Sequence, residues 1–187
     1  MSKILTTQLT GLFQRIQQSE EEPIEETARL LAQAAIGQGT IYFAAFGEMG
    51  AVAIHAELGA SPFAKFARYT DEVELLPADR LIIFTQHATD EQALKLAQKM
   101  HNDFIPFAAV ASEVAETGNQ LSELAYTYIS LKVRGGILPH PTKLGERIVF
   151  PHLMAALYIY EAIKMEFDEM LVDDDENDEE ESISPFA

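Results

Sequence analysis

Apolar positions along this chain follow two rhythms. Near the N-terminus, Leu5, Leu9, Leu12, Phe13 and Ile16 recur at the spacing of one helical face, with Ser2 as a cap. The run Ser19-Glu20-Glu21-Glu22-Pro23 predicts a break. Pro23 suits the first position of a second helix, lined by Ile24, Ala28, Leu31 and Ala35 and closed by Gly37 or Gly39. Residues 1–38 therefore predict a leading hairpin of two antiparallel helices.

From residue 39 the rhythm changes. Thr40–Ala45 and Leu81–Thr85 are near-continuous apolar runs and predict buried strands, and Phe63–Tyr69 predicts a weaker one. Phe104–Val110 predicts another, with Pro106 making it edge-facing or irregular, and Ala125–Val133 predicts the last. Helices are predicted over Met49–Leu58, Asp90–His101, Gln120–Leu124 and somewhere within Gly145–Met170, where Pro151 either kinks or opens the helix. Such alternation predicts an α/β fold: a parallel sheet covered on both faces, with right-handed crossovers. The expected organisation is a single domain over residues 1–172, with its α/β core at 39–170.

Length and charge narrow the function classes. A chain of 187 residues can bury a sizeable core. Its 13 Lys and Arg oppose 30 Asp and Glu, for a formal charge of -17. Residues 166–187 hold 11 acids and no base, so the remainder stands near -6. Nucleic acids and anionic membranes require clustered Lys and Arg, so neither is an expected partner. The acidic run from Asp173 to Glu181 repels itself and cannot bury apolar area. Residues 173–187 are therefore expected to form a disordered tail, which becomes an arm for a basic protein partner if the protein is an interaction scaffold. The chain has no cysteine, which excludes disulfides, thiolate metal sites and cysteine nucleophiles and favours the cytoplasm. Its opening lacks a signal-peptide core, and no apolar run approaches the roughly 20 residues of a membrane span.

Two strand-to-helix turns carry the candidate chemistry. The first is Phe46-Gly47-Glu48-Met49-Gly50, ahead of a small-residue helix that ends His55-Ala56-Glu57-Leu58. The second is Thr85-Gln86-His87-Ala88-Thr89-Asp90. Each places polar groups and free helix N–H donors at the carboxyl end of a buried strand, where open α/β sheets collect ligands. Thr89 followed by Gln92 also fits a capping box, and Glu48 suits the positive end of a helix. Arg134-Gly135-Gly136 and Lys143, near the last strand, either meet an anion or form a solvated loop.

On these residues the chain resembles the sugar isomerase (SIS) domain family, over roughly Ile36 to Glu161. The matching features are the first turn with its following helix and His55, the apolar strand with the Thr-bearing second turn, and the run Arg147-Ile148-Val149-Phe150-Pro151-His152. That last run matches the family's closing helix, which opens on Arg-Ile-x-x-x-His. Within the family the chain is most similar to phosphoheptose isomerases. Its opening, Leu5-Thr6-Thr7-Gln8-Leu9-Thr10-Gly11-Leu12, resembles a small Gram-positive bacterial family of SIS-like proteins with no assigned function. The resemblance implies a three-layer, flavodoxin-like sandwich on a five-stranded parallel sheet of order 2-1-3-4-5. The crevice between strands 1 and 3 is then the switch point where a ligand sits.

It also implies a bound sugar phosphate or related carbohydrate derivative, held by hydroxyls and backbone N–H groups. Gly47, Glu48, Thr85, His87 and Thr89 are the matching ligand-binding positions. Aldose–ketose isomerisation needs a base that moves a proton between adjacent carbons and an acid at an oxygen. His55 and His152 match the family's histidines. The family's glutamate falls four residues past the first histidine, where this chain has Gly59, and Glu57 is the neighbouring acid. The second turn also carries fewer hydroxyls than the family and no glycine. A non-catalytic ligand sensor or interaction scaffold is therefore the alternative to an isomerase. His55, His87 and His152 would border one crevice, and imidazole suits zinc, but no pair has i, i+4 ligand spacing. No metal or cofactor is expected. The apolar stripe on residues 5–16 needs cover, and the family commonly forms dimers or tetramers, so a homodimer or homotetramer is expected.

Overall fold

In the computed structural model the backbone is described for residues 2–183 and side chains for residues 2–172. Five short apolar runs become strands: β1 (Ile41–Ala45), β2 (Phe66–Arg68), β3 (Arg80–Phe84), β4 (Phe107–Ala111) and β5 (Thr127–Ser130). They form one parallel sheet of order β2-β1-β3-β4-β5. This is the order the family resemblance implies. Alternate residues face opposite layers, as a strand requires. Phe43, Ile82, Phe84, Val110 and Ile129 meet α1 (Ser2–Ile36), α2 (Gly50–Leu58) and α5 (His152–Ile183). Leu81, Ile83, Phe107, Ala109 and Tyr128 meet α3 (Glu91–Asn102) and α4 (Gln120–Leu124). The sheet is thus the middle layer of three.

The expected leading hairpin is instead one helix of 35 residues, with Pro23 inside it. The apolar stripe explains this. Leu12, Ile16, Ile24, Ala28 and Leu31 share one face and are all buried against α5 and the sheet. Each large side chain buried contributes about 1.5–3 kcal/mol, which together outweighs the roughly 3 kcal/mol cost of an interior proline. The Pro23 carbonyl is also used, accepting the Thr127 hydroxyl at 3.3 Å. This packing covers much of the 5–16 stripe within the chain: Leu12 and Ile16 are buried, and Phe13 stacks on Tyr158 at 4.7 Å. The stripe therefore no longer argues for an oligomer.

Three further expectations change. Pro106 lies ahead of β4, which is an interior strand flanked by β3 and β5. Arg147 and Ile148 do not open the last helix. They form β7 (Arg147–Ile148), antiparallel to β6 (Leu138–Pro139), and Pro151 opens α5 by accepting the Ala155 N–H at 2.9 Å. The backbone of α5 continues past Met170, the far bound expected for the last helix, through the acidic run to Ile183. Side chains from Asp173 onward, and all of residues 184–187, lie outside the described residues, and the expected basic partner of the tail falls there too. No helix among the described residues is long and apolar enough to cross a membrane.

Candidate functional site

The carboxyl ends of β3, β4 and β5 open into one cavity of about 1250 Å³. Gln86 and His87 enter from the end of β3, Ser112 and Glu113 from β4, and Lys132 and Arg134 from β5. The N-terminal half of α1 overhangs the far side with Gln8, Leu12 and Arg15, while Arg147, Phe150 and His152 close the front. The site thus lies at the sheet end where α/β folds bind ligands. It is displaced from the β1/β3 switch point toward β5. A smaller hollow of about 360 Å³ lies toward β1 and β2, between Phe46, Tyr69 and the Lys95–Lys99 face of α3.

Sequence order explains how the reactive groups meet. β3 and β4 are neighbours, so the residues just past their ends are adjacent. The Gln86 carbonyl accepts from the Ser112 hydroxyl at 2.6 Å and the Ser112 N–H at 3.2 Å. Glu113 then reaches the β3 turn. One oxygen accepts the Ala88 N–H at 2.6 Å, and the other lies 3.0 Å from His87 Nδ1. Burial resists ionisation of Glu113, but these donors outweigh it and hold its carboxyl below the ordinary carboxylate value. With Nδ1–H directed at the carboxylate, a neutral His87 carries its lone pair on Nε2.

His152 is complementary. It is 3 % exposed, at the first position of α5. Its Nδ1 lies 3.1 Å from the Gln86 side-chain amide nitrogen. An amide N–H can only donate there, so the neutral ring keeps its proton on Nε2. Burial first, then the neighbouring His87, push the His152 pKa below the ordinary imidazole value. The helix N-terminus also disfavours an imidazolium. The two rings meet edge-to-face with centroids 5.6 Å apart. One imidazole therefore offers a base nitrogen and its neighbour an N–H donor.

Of the anticipated residues, only His87 and His152 come together in this cavity. His55 is exposed and pairs with Glu161 at 2.7 Å. Glu161 lies nine residues beyond His152 on α5, about 13 Å at the rise of a helix, so the two expected catalytic histidines do not converge. Glu57 binds Arg68 Nε at 2.7 Å beside β2. Gly47 adopts φ +59 in a 3-10 turn at the end of β1, next to β3, and it and Glu48 are exposed outside the cavity. Thr85 is buried and donates to the His87 carbonyl at 3.3 Å. Thr89 is exposed and does not cap α3. That cap is Asp90, accepting the Ala93 N–H at 2.9 Å. No group of three metal-ligating side chains occurs among the described residues.

Several lining residues were given no functional role in the sequence reading. Glu113 and Gln86 carry the signal of position, each lying just past a buried strand. Arg15 and Arg147 come from elements misread as a hairpin and a helix start. Arg134-Gly135-Gly136 was visible as an anion candidate, and it does line the cavity.

Residues 1–171 match the family model described as a domain of unknown function, DUF2529. The chain is 33 % identical over 172 residues to the uncharacterised protein YwjG of Bacillus subtilis (strain 168), covering 91 % of this chain and 98 % of that protein. Its structure is similar to phosphoheptose isomerase GmhA from Neisseria gonorrhoeae, with TM-score 0.64 and 16 % identity over 90 % of this chain and 96 % of that one. It is also similar to the sugar isomerase domain of an RpiR transcription factor from Sphaerobacter thermophilus, with TM-score 0.61 and 16 % identity over 89 % and 88 % of the two chains. The chain therefore belongs to the DUF2529 family, and that family's sequence here takes the fold of SIS domains.

Proposed function

We propose that this protein binds a phosphorylated sugar, or a related anionic carbohydrate derivative, in the cavity at the ends of β3 to β5. One observation carries the reading. The cavity holds two imidazoles of opposite hydrogen-bonding character, while four of the chain's 13 basic residues, Arg15, Lys132, Arg134 and Arg147, line it. A polyol needs mixed donors and acceptors, and a phosphate needs cations or free amides. The likeness to GmhA and the RpiR sugar isomerase domain agrees with this use of the fold.

The same geometry suits proton transfer. His87 Nε2, backed by Glu113, is placed to take a proton from a carbon beside a carbonyl. The Nε2–H of His152 is placed to donate to the oxygen that gains charge, and it stays a donor while the ring is neutral. Isomerisation by this pair replaces the roles expected of His55 and Glu57. The test is deuterium exchange at C1 of fructose 6-phosphate or C2 of glucose 6-phosphate in D2O, followed by NMR. Exchange that falls about 10²- to 10⁴-fold in His87→Asn supports the isomerase. Ligand binding with no exchange in the native protein leaves the sensor reading. That second reading draws on the self-satisfied β3 turn, where Glu113 and Asp90 already occupy the amides of Ala88 and Ala93.

A further inference from the structure

We infer that the anionic group of the ligand is seated by Arg15 and Arg134, beside the Gly135–Gly136 amides, and not on the turn that precedes α3. The inference deepens the phosphosugar reading and rests on it for the identity of the ligand.

The turn before α3 has already spent its donors. Its Ala88 N–H is taken by the Glu113 carboxylate and the Ala93 N–H by Asp90. The Thr85 hydroxyl is buried and turned to the His87 carbonyl. A phosphate placed there would also meet the Glu113 charge at close range, which opposes binding. Across the cavity the balance reverses. Lys132 is neutralised by Glu20 at 2.6 Å, and Glu20 is itself buried and accepts the Ser130 N–H at 2.9 Å. That contact ties α1 to the loop after β5, and it places Arg15, little more than one turn earlier on α1, over the same wall. Arg15 and Arg134 form no ion pair among the described residues. Arg147 holds the carbonyls of Gly136 and Ile137 at 2.6 and 3.0 Å, which fixes the loop, and its charge has no carboxylate partner among the described residues. The N–H groups of Gly135 and Gly136 have no acceptor among the described residues. Glu116 is the one acid on the lining besides Glu113. Cations with vacant guanidinium edges beside free amides form an anion seat of the kind arginine forks provide. A sugar phosphate anchored there would extend its carbon chain toward His87 and His152.

The test titrates inorganic phosphate and fructose 6-phosphate into the native protein, Arg15→Gln/Arg134→Gln, Arg134→Lys and Thr89→Ala, by calorimetry. Both arginines are exposed, so an unchanged unliganded melting temperature checks the fold. The expected result is at least tenfold weaker binding of both probes in the double variant, partial retention in Arg134→Lys and no change in Thr89→Ala. Fructose 6-phosphate bound equally by the native protein and the double variant overturns the seat and keeps the cavity reading. Phosphate lost in the double variant, with fructose 6-phosphate no tighter than phosphate, supports the seat and overturns the sugar reading. Neither probe bound by the native protein overturns both.

Discussion

His152 and His87 illustrate how neighbours decide what a histidine does. Both were legible as polar groups near strand or helix ends. Their tautomers were not, because each depends on a partner distant in sequence: Gln86 for one ring and Glu113 for the other. His55 was equally legible, yet its partner Glu161 holds it on the outer surface. A pH dependence follows for His152. Burial and the His87 charge disfavour its protonation in the fold, with Glu48 and Glu113 acting the other way. The unfolded chain binds this proton below about pH 6.5, so it binds more protons than the native state there, and stability falls as pH drops through that value. Glu113 has the depressed pKa of a stabilised carboxylate, and its contribution is lost only below its ordinary value of 4.5. Urea midpoints at pH 7.5 and 5.5 should therefore converge in His152→Asn relative to the native protein. An identical pH slope in the two proteins would remove His152 from this account.

Among the elements, the sheet was the most legible and α1 the least. Continuous β-branched and aromatic runs such as Leu81-Ile82-Ile83-Phe84 suit a strand buried on both faces, and this one is buried along its whole length. Pro23 pointed to a break because local chemistry favours one. The stripe continuing past it, at Ile24, Ala28 and Leu31, carried the opposing signal. The helix thus retains a local cost for the sake of its packing. Pro23→Ala restores an N–H inside α1 and should stabilise the protein by about 1–3 kcal/mol, read from denaturant midpoints. A loss of stability would mean that Pro23 itself is what aligns its carbonyl with Thr127. The β6–β7 hairpin was missed because two-residue strands leave no periodicity. Gly136 marks it only in three dimensions, since an added Cβ would lie 2.9 Å from the Arg147 and Ile148 backbone.

For the molecule as a unit, charge is distributed against its average. A chain at -17 keeps arginines with no ion pair among the described residues in one cavity, and its acids are concentrated past residue 165. Among the described residues, the last large buried side chain of α5 is Phe167, with Met170 and Leu171 only partly buried. Ending the chain at Val172 removes eight acids and no base. That truncation should change unfolding free energy by no more than about 0.5 kcal/mol. At physiological salt it should leave phosphate affinity within twofold, because exposed charges are screened over about 8 Å. A large drop in melting temperature would show that the acidic run packs on the domain.

Composition and apolar rhythm were enough to specify the α/β class, most element positions and the sheet's burial on both faces. Each of these depends on neighbours close in the chain. Strand order agreed with the family likeness. The position of the cavity, its displacement toward β5 and the pairing of His87 with Glu113 came only with folding. Those features rest on side chains from strand ends 26 residues apart, and on a helix 100 residues from the strand it covers. Local periodicity carries no record of such distances, and packing alone sets them.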